Sequence, residues 1–112
     1  MIPSIYKINS VEFKKFYNKG INKNSKHIRV SFVYKKMNES IFSKYTVVVG
    51  KKISKSAIIR HKNKRKIYNI LKEIYPQFSY LKFVFIFIKT DVLNVDEKEI
   101  KNQIVELLSK RG

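Results

Sequence analysis

The sequence predicts one α+β domain covering residues 1–112, a two-layer sandwich with elements in the order α-β-β(-β)-α-β-α. Three observations carry that expectation. Apolar residues recur at helical spacing in two stretches, Ile67, Ile70, Leu71 and Ile74, then Ile100, Ile104, Leu107 and Leu108. Runs with strand character lie at 27–34, 45–50 and 81–89. A chain of 112 residues is long enough for one core and too short for two.

Residues 1–8 contain Pro3 and read as an extended lead-in. Asn9 is placed to cap a short helix, and Glu12, three residues on, can return a bond and complete a capping box. That helix carries Phe13, Phe16 and Tyr17 and is expected to stop at Gly20, a natural left-handed terminator. Asn22 to Lys26 reads as a polar loop. In the next strand Ile28, Val30, Phe32 and Tyr34 alternate with His27, Arg29, Ser31 and Val33, which buries one face. Arg29 and Ser31 then point into solvent or a ligand groove. Lys35 to Ser43 is a connection with room for a short edge strand at Ile41 and Phe42. The β-branched run Tyr45–Gly50 is expected inside the sheet. Leu81–Lys89 is apolar on both faces, so it should be central and covered on two sides. Asn94 and Glu97 repeat the capping-box spacing ahead of the last helix.

The stretch 54–75 organises the rest. Ser56 can cap its helix, and Pro76 ends it by disfavouring helical geometry at Tyr75. Its start is unusual. Arg60, Lys62, Lys64, Arg65 and Lys66 crowd the early turns, where the helix dipole is already positive. Each cation there costs from a few tenths to about 1 kcal/mol, and neighbours repel one another. An anion would offset that cost, and free amides ringed by Arg and Lys suit phosphate. The plainer reading is a solvated face on a core helix. Such faces normally mix signs, however, and no acid occurs between Glu39 and Glu73.

Composition points the same way. The chain carries 25 Lys and Arg against 8 Asp and Glu, a net charge of +17, with 44% hydrophobic residues that argue against disorder. A field of that size calls for a polyanionic partner, nucleic acid first and anionic membrane second. No run of apolar residues is long enough to span a bilayer. The N-terminus lacks a basic head followed by an apolar run, so no secretory signal is expected, and with no cysteine the chain suits the cytoplasm.

Catalytic chemistry is scarce. Most of the acids fall at helix starts or on exposed faces, and Asp96, Glu97 and Glu99 cluster where acids offset a helix dipole. His27 and His61 have no neighbouring acid in sequence to orient them, and no phosphate loop, zinc pattern or nucleophile motif occurs. No catalytic residue and no protein-bound metal are assigned. What remains is cations beside aromatics, the chemistry of single-stranded RNA binding. Phe13, Phe16 and Tyr17 stand beside Lys14, Lys15 and Lys19. Those rings are either core or the edge of a groove.

At this point the chain resembles the protein subunit of bacterial ribonuclease P. The family's distinctive helix start, Ala-x-x-Arg-Asn-Arg-x-Lys-Arg after a Lys-rich loop, is similar to Ala57-Ile-Ile-Arg60-His61-Lys62-Asn63-Lys64-Arg65. His61 stands for the family Asn, and Lys62 for the second Arg, which keeps charge and loses the planar fork. Phe13-Lys-Lys-Phe-Tyr17-Asn-Lys-Gly20 is similar to the family's first helix, and Lys26 falls where an Arg often opens the next strand. The likeness extends over nearly the whole chain.

The resemblance implies an α+β sandwich with a left-handed β-α-β crossover through the 57–75 helix. Periodicity does not suggest this, since such connections are right-handed in nearly all cases. It implies a cytoplasmic protein, monomeric and one copy per RNA, that assists tRNA 5′-end maturation. The reaction belongs to a catalytic RNA that uses Mg2+. Arg60, His61, Lys62, Lys64 and Arg65, with Lys52 and Lys55 from the loop, would contact that RNA. Phe13, Phe16, Tyr17 and Lys26 would line a groove for the 5′ leader of precursor tRNA. Three rivals stand beside it: a ribosomal or other structural RNA-binding protein, a self-sufficient nuclease, which needs an acid cluster, and a peripheral membrane binder, which needs a broad exposed apolar helix face.

Overall fold

The computed structural model describes residues 8–16, 20–35, 43–78 and 80–109. Its elements are α1 (Ser10–Phe16), β1 (Ile21–Asn24), β2 (Ile28–Tyr34), β3 (Lys44–Val49), α2 (Ala57–Ile74), a 3-10 turn (Tyr75–Phe78), β4 (Leu81–Ile88) and α3 (Glu97–Ser109). The strands form one sheet in the order β1-β2-β4-β3, antiparallel except for the β3–β4 pair. β3 and β4 are therefore adjacent parallel strands joined through α2.

Register explains the core. Ile28, Val30 and Phe32 lie opposite Ile88, Ile86 and Val84, and these lie opposite Val49, Val47 and Tyr45. That face meets the predicted helix stripes, Ile67, Ile70, Leu71 and Ile74 of α2 and Ile100, Ile104, Leu107 and Leu108 of α3. Each fully buried Ile or Leu there contributes roughly 1.5–3 kcal/mol over the exposed side chain. The other face of β4 carries Phe83, Phe85 and Phe87, and α1 covers part of it. The Phe13 ring stands edge-on to Phe85 at 5.6 Å, and Phe16 lies 4.7 Å from Phe83. β4 is thus central and covered on two sides, as its sequence indicates.

Two of the predicted caps form. Asn9 N–H donates to Glu12 Oε1 at 3.2 Å, and Glu12 N–H donates to Asn9 Oδ1 at 2.8 Å. Glu12 also accepts from Lys44 Nζ at 3.0 Å, tying α1 to the start of β3. Ser56 Oγ accepts from Ile59 N–H at the head of α2. α2 gives way to the 3-10 turn at Tyr75, the residue before Pro76.

Several expectations need correction. Asn22 to Asn24, expected in a polar loop, instead form an edge strand with Ile21, paired from Ile21 opposite Phe32 to Asn24 opposite Arg29. Gly20 serves this pairing rather than a left-handed turn: an added Cβ would lie 2.5 Å from the Phe32 carbonyl oxygen. Ser31 does not reach solvent or a groove. It is fully buried opposite Phe85, in the row that Phe13 covers. The 45–50 run forms the outermost of the described strands on its side, not an interior one. Its outer edge is covered instead by single contacts, with Ile8 N–H donating to the Tyr45 carbonyl and Val47 N–H donating to Tyr68 Oη.

α3 is capped by Asp96, not Asn94. The Asp96 carbonyl accepts from Ile100 N–H at 3.2 Å, and its carboxylate accepts from Lys98 N–H at 2.9 Å. The preceding turn, closed by Val95 N–H to the Val92 carbonyl, uses up Asn94 and moves the helix start along the chain. The edge strand expected at Ile41 and Phe42, and the side chain of Tyr17, lie outside the described residues.

Candidate nucleic-acid interface

The basic stretch of α2 divides into two flanks and an anchored base. Along one flank Ala57, Arg60, His61 and Lys64 face the outer edge of β3, where Thr46 to Val49 complete the wall of a cleft of about 390 Å³. Along the other, Lys62, Arg65, Lys66 and Asn69 line a second hollow, of about 400 Å³, with Glu97 at the head of α3. Between them Asn63 is fully buried. Its Oδ1 accepts from Val92 N–H at 2.8 Å, and its Nδ2 donates to the Ile59 carbonyl at 3.0 Å.

Lys66 belongs to the anchorage. Its ammonium donates to the carbonyls of Val92 and Leu93, at 2.8 and 3.3 Å, and of Val95, at 2.5 Å. It is a cation held by protein, unlike its neighbours. Lys62, Lys64 and Arg65 are exposed and form no ion pair among the described residues. Arg60 is half-buried, and its Nε is shut off from solvent without an acceptor among the described residues. Among the described residues no carboxylate lines the β3-side cleft, and the charged side chains of its wall are cationic. Elsewhere Glu12, Glu73 and Glu99 pair with Lys44, Lys101 and His27.

The remaining predicted residues spread across one end and one face of the sheet. Lys52 and Lys55 are exposed in the loop that delivers the chain from β3 to α2. Lys26 is exposed in the β1–β2 turn. Register puts that turn at the end of the sheet where α2 begins, since Ile28 lies opposite Ile88 and Ile88 opposite Val49. Phe13 and Phe16 sit on the α1-covered face, both half-buried. Phe16 keeps cations on its rim, with the ammonium groups of Lys15 and Lys82 each 5.5 Å from its centroid.

A connecting strip was not singled out from sequence. Arg29 lies opposite Phe87 on β4, and Phe87 opposite Val48 on β3, which lines the cleft. The Arg29 guanidinium stacks 4.2 Å from the Phe87 centroid. This row is half-buried and joins the aromatic face to the basic flank of α2. Strand alternation exposes Arg29, whereas nothing in an all-apolar strand distinguishes Phe87 from core.

Residues 8–112 match the family model described as Ribonuclease P. The chain belongs to the ribonuclease P protein family. Over 79 residues it is 33% identical to the Ribonuclease P protein component of Mycoplasma capricolum, a match spanning 70% of this chain and 72% of that one. Its fold is that of the RNase P protein from Thermotoga maritima, with a TM-score of 0.74 at 18% identity, covering 95% and 98% of the two chains. The Staphylococcus aureus RNase P protein superimposes with a TM-score of 0.72 at 21% identity, covering 93% of each. Family membership makes the chain a component of an endoribonuclease complex that processes tRNA. Among the described residues no helix is long and apolar enough to cross a membrane, and no group of three or more His, Asp or Glu is placed to hold a metal ion.

Proposed function

We propose that this chain acts in the cytoplasm as one copy bound to the catalytic RNA of ribonuclease P, where it also grips the 5′ leader of precursor tRNA. The observation that carries the reading is the β3-side cleft, which gathers Arg60, His61 and Lys64 with no carboxylate among the described residues of its wall. Phosphates entering it would gain charge-assisted hydrogen bonds without repulsion from a carboxylate among the described residues of its wall. Lys62, Arg65, Lys52 and Lys55 extend the contact with the catalytic RNA. Phe13, Phe16, Tyr17 and Lys26 serve the leader, with rings for stacking and cations for phosphate.

On this reading the chemistry belongs to the RNA and its Mg2+, and the protein holds no metal of its own. Its contribution is to hold two polyanions together, which matters most when magnesium is too scarce to screen them. The test is precursor-tRNA cleavage by the ribonuclease P RNA of the same organism at limiting magnesium. A large protein-dependent gain with correct 5′ ends, and no cleavage by protein alone, is expected. Cleavage by the protein alone would make it a nuclease. No gain would leave a structural RNA-binding protein.

A further inference from the structure

We infer that His61 is a proton-linked phosphate contact, so that RNA bound in the β3-side cleft is held more tightly as pH falls from 8 towards 5.5. The inference rests on the proposed RNA-binding reading and adds to it a residue-specific regulation. His61 is exposed on the wall of the cleft and makes no hydrogen bond or ion pair among the described residues. The charged groups that line the cleft with it are Arg60 and Lys64 on the same helix; Lys62 and Arg65 are exposed nearby in sequence, as are Lys51, Lys52 and Lys55 in the preceding loop. β3 offers the cleft Thr46 and valines, none of which ionises. Among the described residues no carboxylate lines the cleft to hold an imidazolium before RNA arrives. A phosphate between Arg60 and Lys64 would supply that counter-charge.

Histidine is the side chain whose charge ordinarily changes between pH 5 and 8, and the imidazolium donates from both ring nitrogens. RNA binding and protonation at His61 then favour each other: bound phosphate stabilises the added proton, and the proton adds a cation to the cleft. The other histidine lies elsewhere. His27 Nδ1 is 2.8 Å from Thr90 Oγ1, and its Nε2 is 3.7 Å from Glu99 Oε1.

The experiment measures affinity of the full chain for the ribonuclease P RNA of the same organism at pH 5.5 and 8.0, across a salt series. One added phosphate contact steepens the salt slope by about 0.7–0.9, which at 0.1 M salt is a gain of about five- to eightfold. The wild type is expected to show this gain at pH 5.5. His61→Asn should lose it, His61→Arg should bind with the low-pH strength at both pH values, and His27→Gln should keep the wild-type dependence. An equal gain in His61→Asn, or its loss in His27→Gln, overturns the inference while leaving RNA binding intact. Absence of binding at both pH values overturns the proposed function itself.

Discussion

Asn63 and Val92 are joined by a buried hydrogen bond that ties the basic helix to the turn before α3. The Asn63 amide oxygen accepts from Val92 N–H at 2.8 Å, and both residues are fully buried. Asn63 lies inside the basic stretch, so this bond, with the Lys66 contacts to the same turn and the buried stripe below them, sets which cations face β3 and which face α3. Asn63→Ala leaves the Val92 N–H buried without a partner, at a cost of about 1–3 kcal/mol. Urea denaturation should show a lower midpoint of that size. An unchanged midpoint would mean that the loop relaxes and the bond carries no weight.

Lys66 and Lys64 look equivalent in sequence and should behave oppositely. The Lys66 ammonium is engaged by three backbone carbonyls, whereas Lys64 is exposed on the cleft. Lys66→Met is expected to lower stability by about 1.5–3 kcal/mol, the range for hydrogen bonds to a charged group, and to leave the salt slope of RNA binding unchanged. Lys64→Met is expected to keep stability within about 0.5 kcal/mol. It should flatten the salt slope by about 0.7–0.9. Denaturation and binding isotherms on the two variants separate anchor from contact, and reversed results would exchange their roles.

Gly20→Ala should destabilise the protein although it adds a single methyl group. The new Cβ would meet the Phe32 carbonyl oxygen at 2.5 Å and carbon at 2.9 Å, both backbone atoms of a paired strand. Relief requires β1 to move off β2. A loss of about 1–3 kcal/mol, the usual penalty for overpacking, is expected in thermal or urea melts. Wild-type stability would show that the hairpin is free to separate at no cost.

Much of this fold was legible because its information is local. The α2 stripe, the Ser56 cap, the Asn9–Glu12 box and the core face of β2 at Ile28, Val30 and Phe32 are patterns within one segment, and each forms. What stayed hidden depends on distant partners. Ile21–Asn24 has one apolar residue in four and is a strand only because β2 presents an edge to it. The β3 run looks interior, yet its outer amide at Val47 is met by the Tyr68 hydroxyl, more than twenty residues away. The candidate site divides the same way. Its charges stood out in composition, whereas their separation into two flanks depends on Asn63 and Lys66 reaching the 92–95 turn.

Arg60 and Arg65 give the most direct test of that separation. Five residues at 3.6 per turn place them about 140° apart around α2. Arg60 lines the β3-side cleft, and Arg65 the hollow beside α3. Neither forms an ion pair among the described residues, so alanine at either position removes no salt bridge there that stabilises the fold. Each variant should melt within about 0.5 kcal/mol of wild type. Both should weaken assembly with the catalytic RNA and reduce precursor-tRNA cleavage at limiting magnesium. Because the two side chains share no wall, their binding losses should add within about 0.3–0.5 kcal/mol in the double variant. Strong non-additivity would mean that one RNA strand crosses both flanks. Full activity of both single variants at limiting magnesium would remove α2 from the interface.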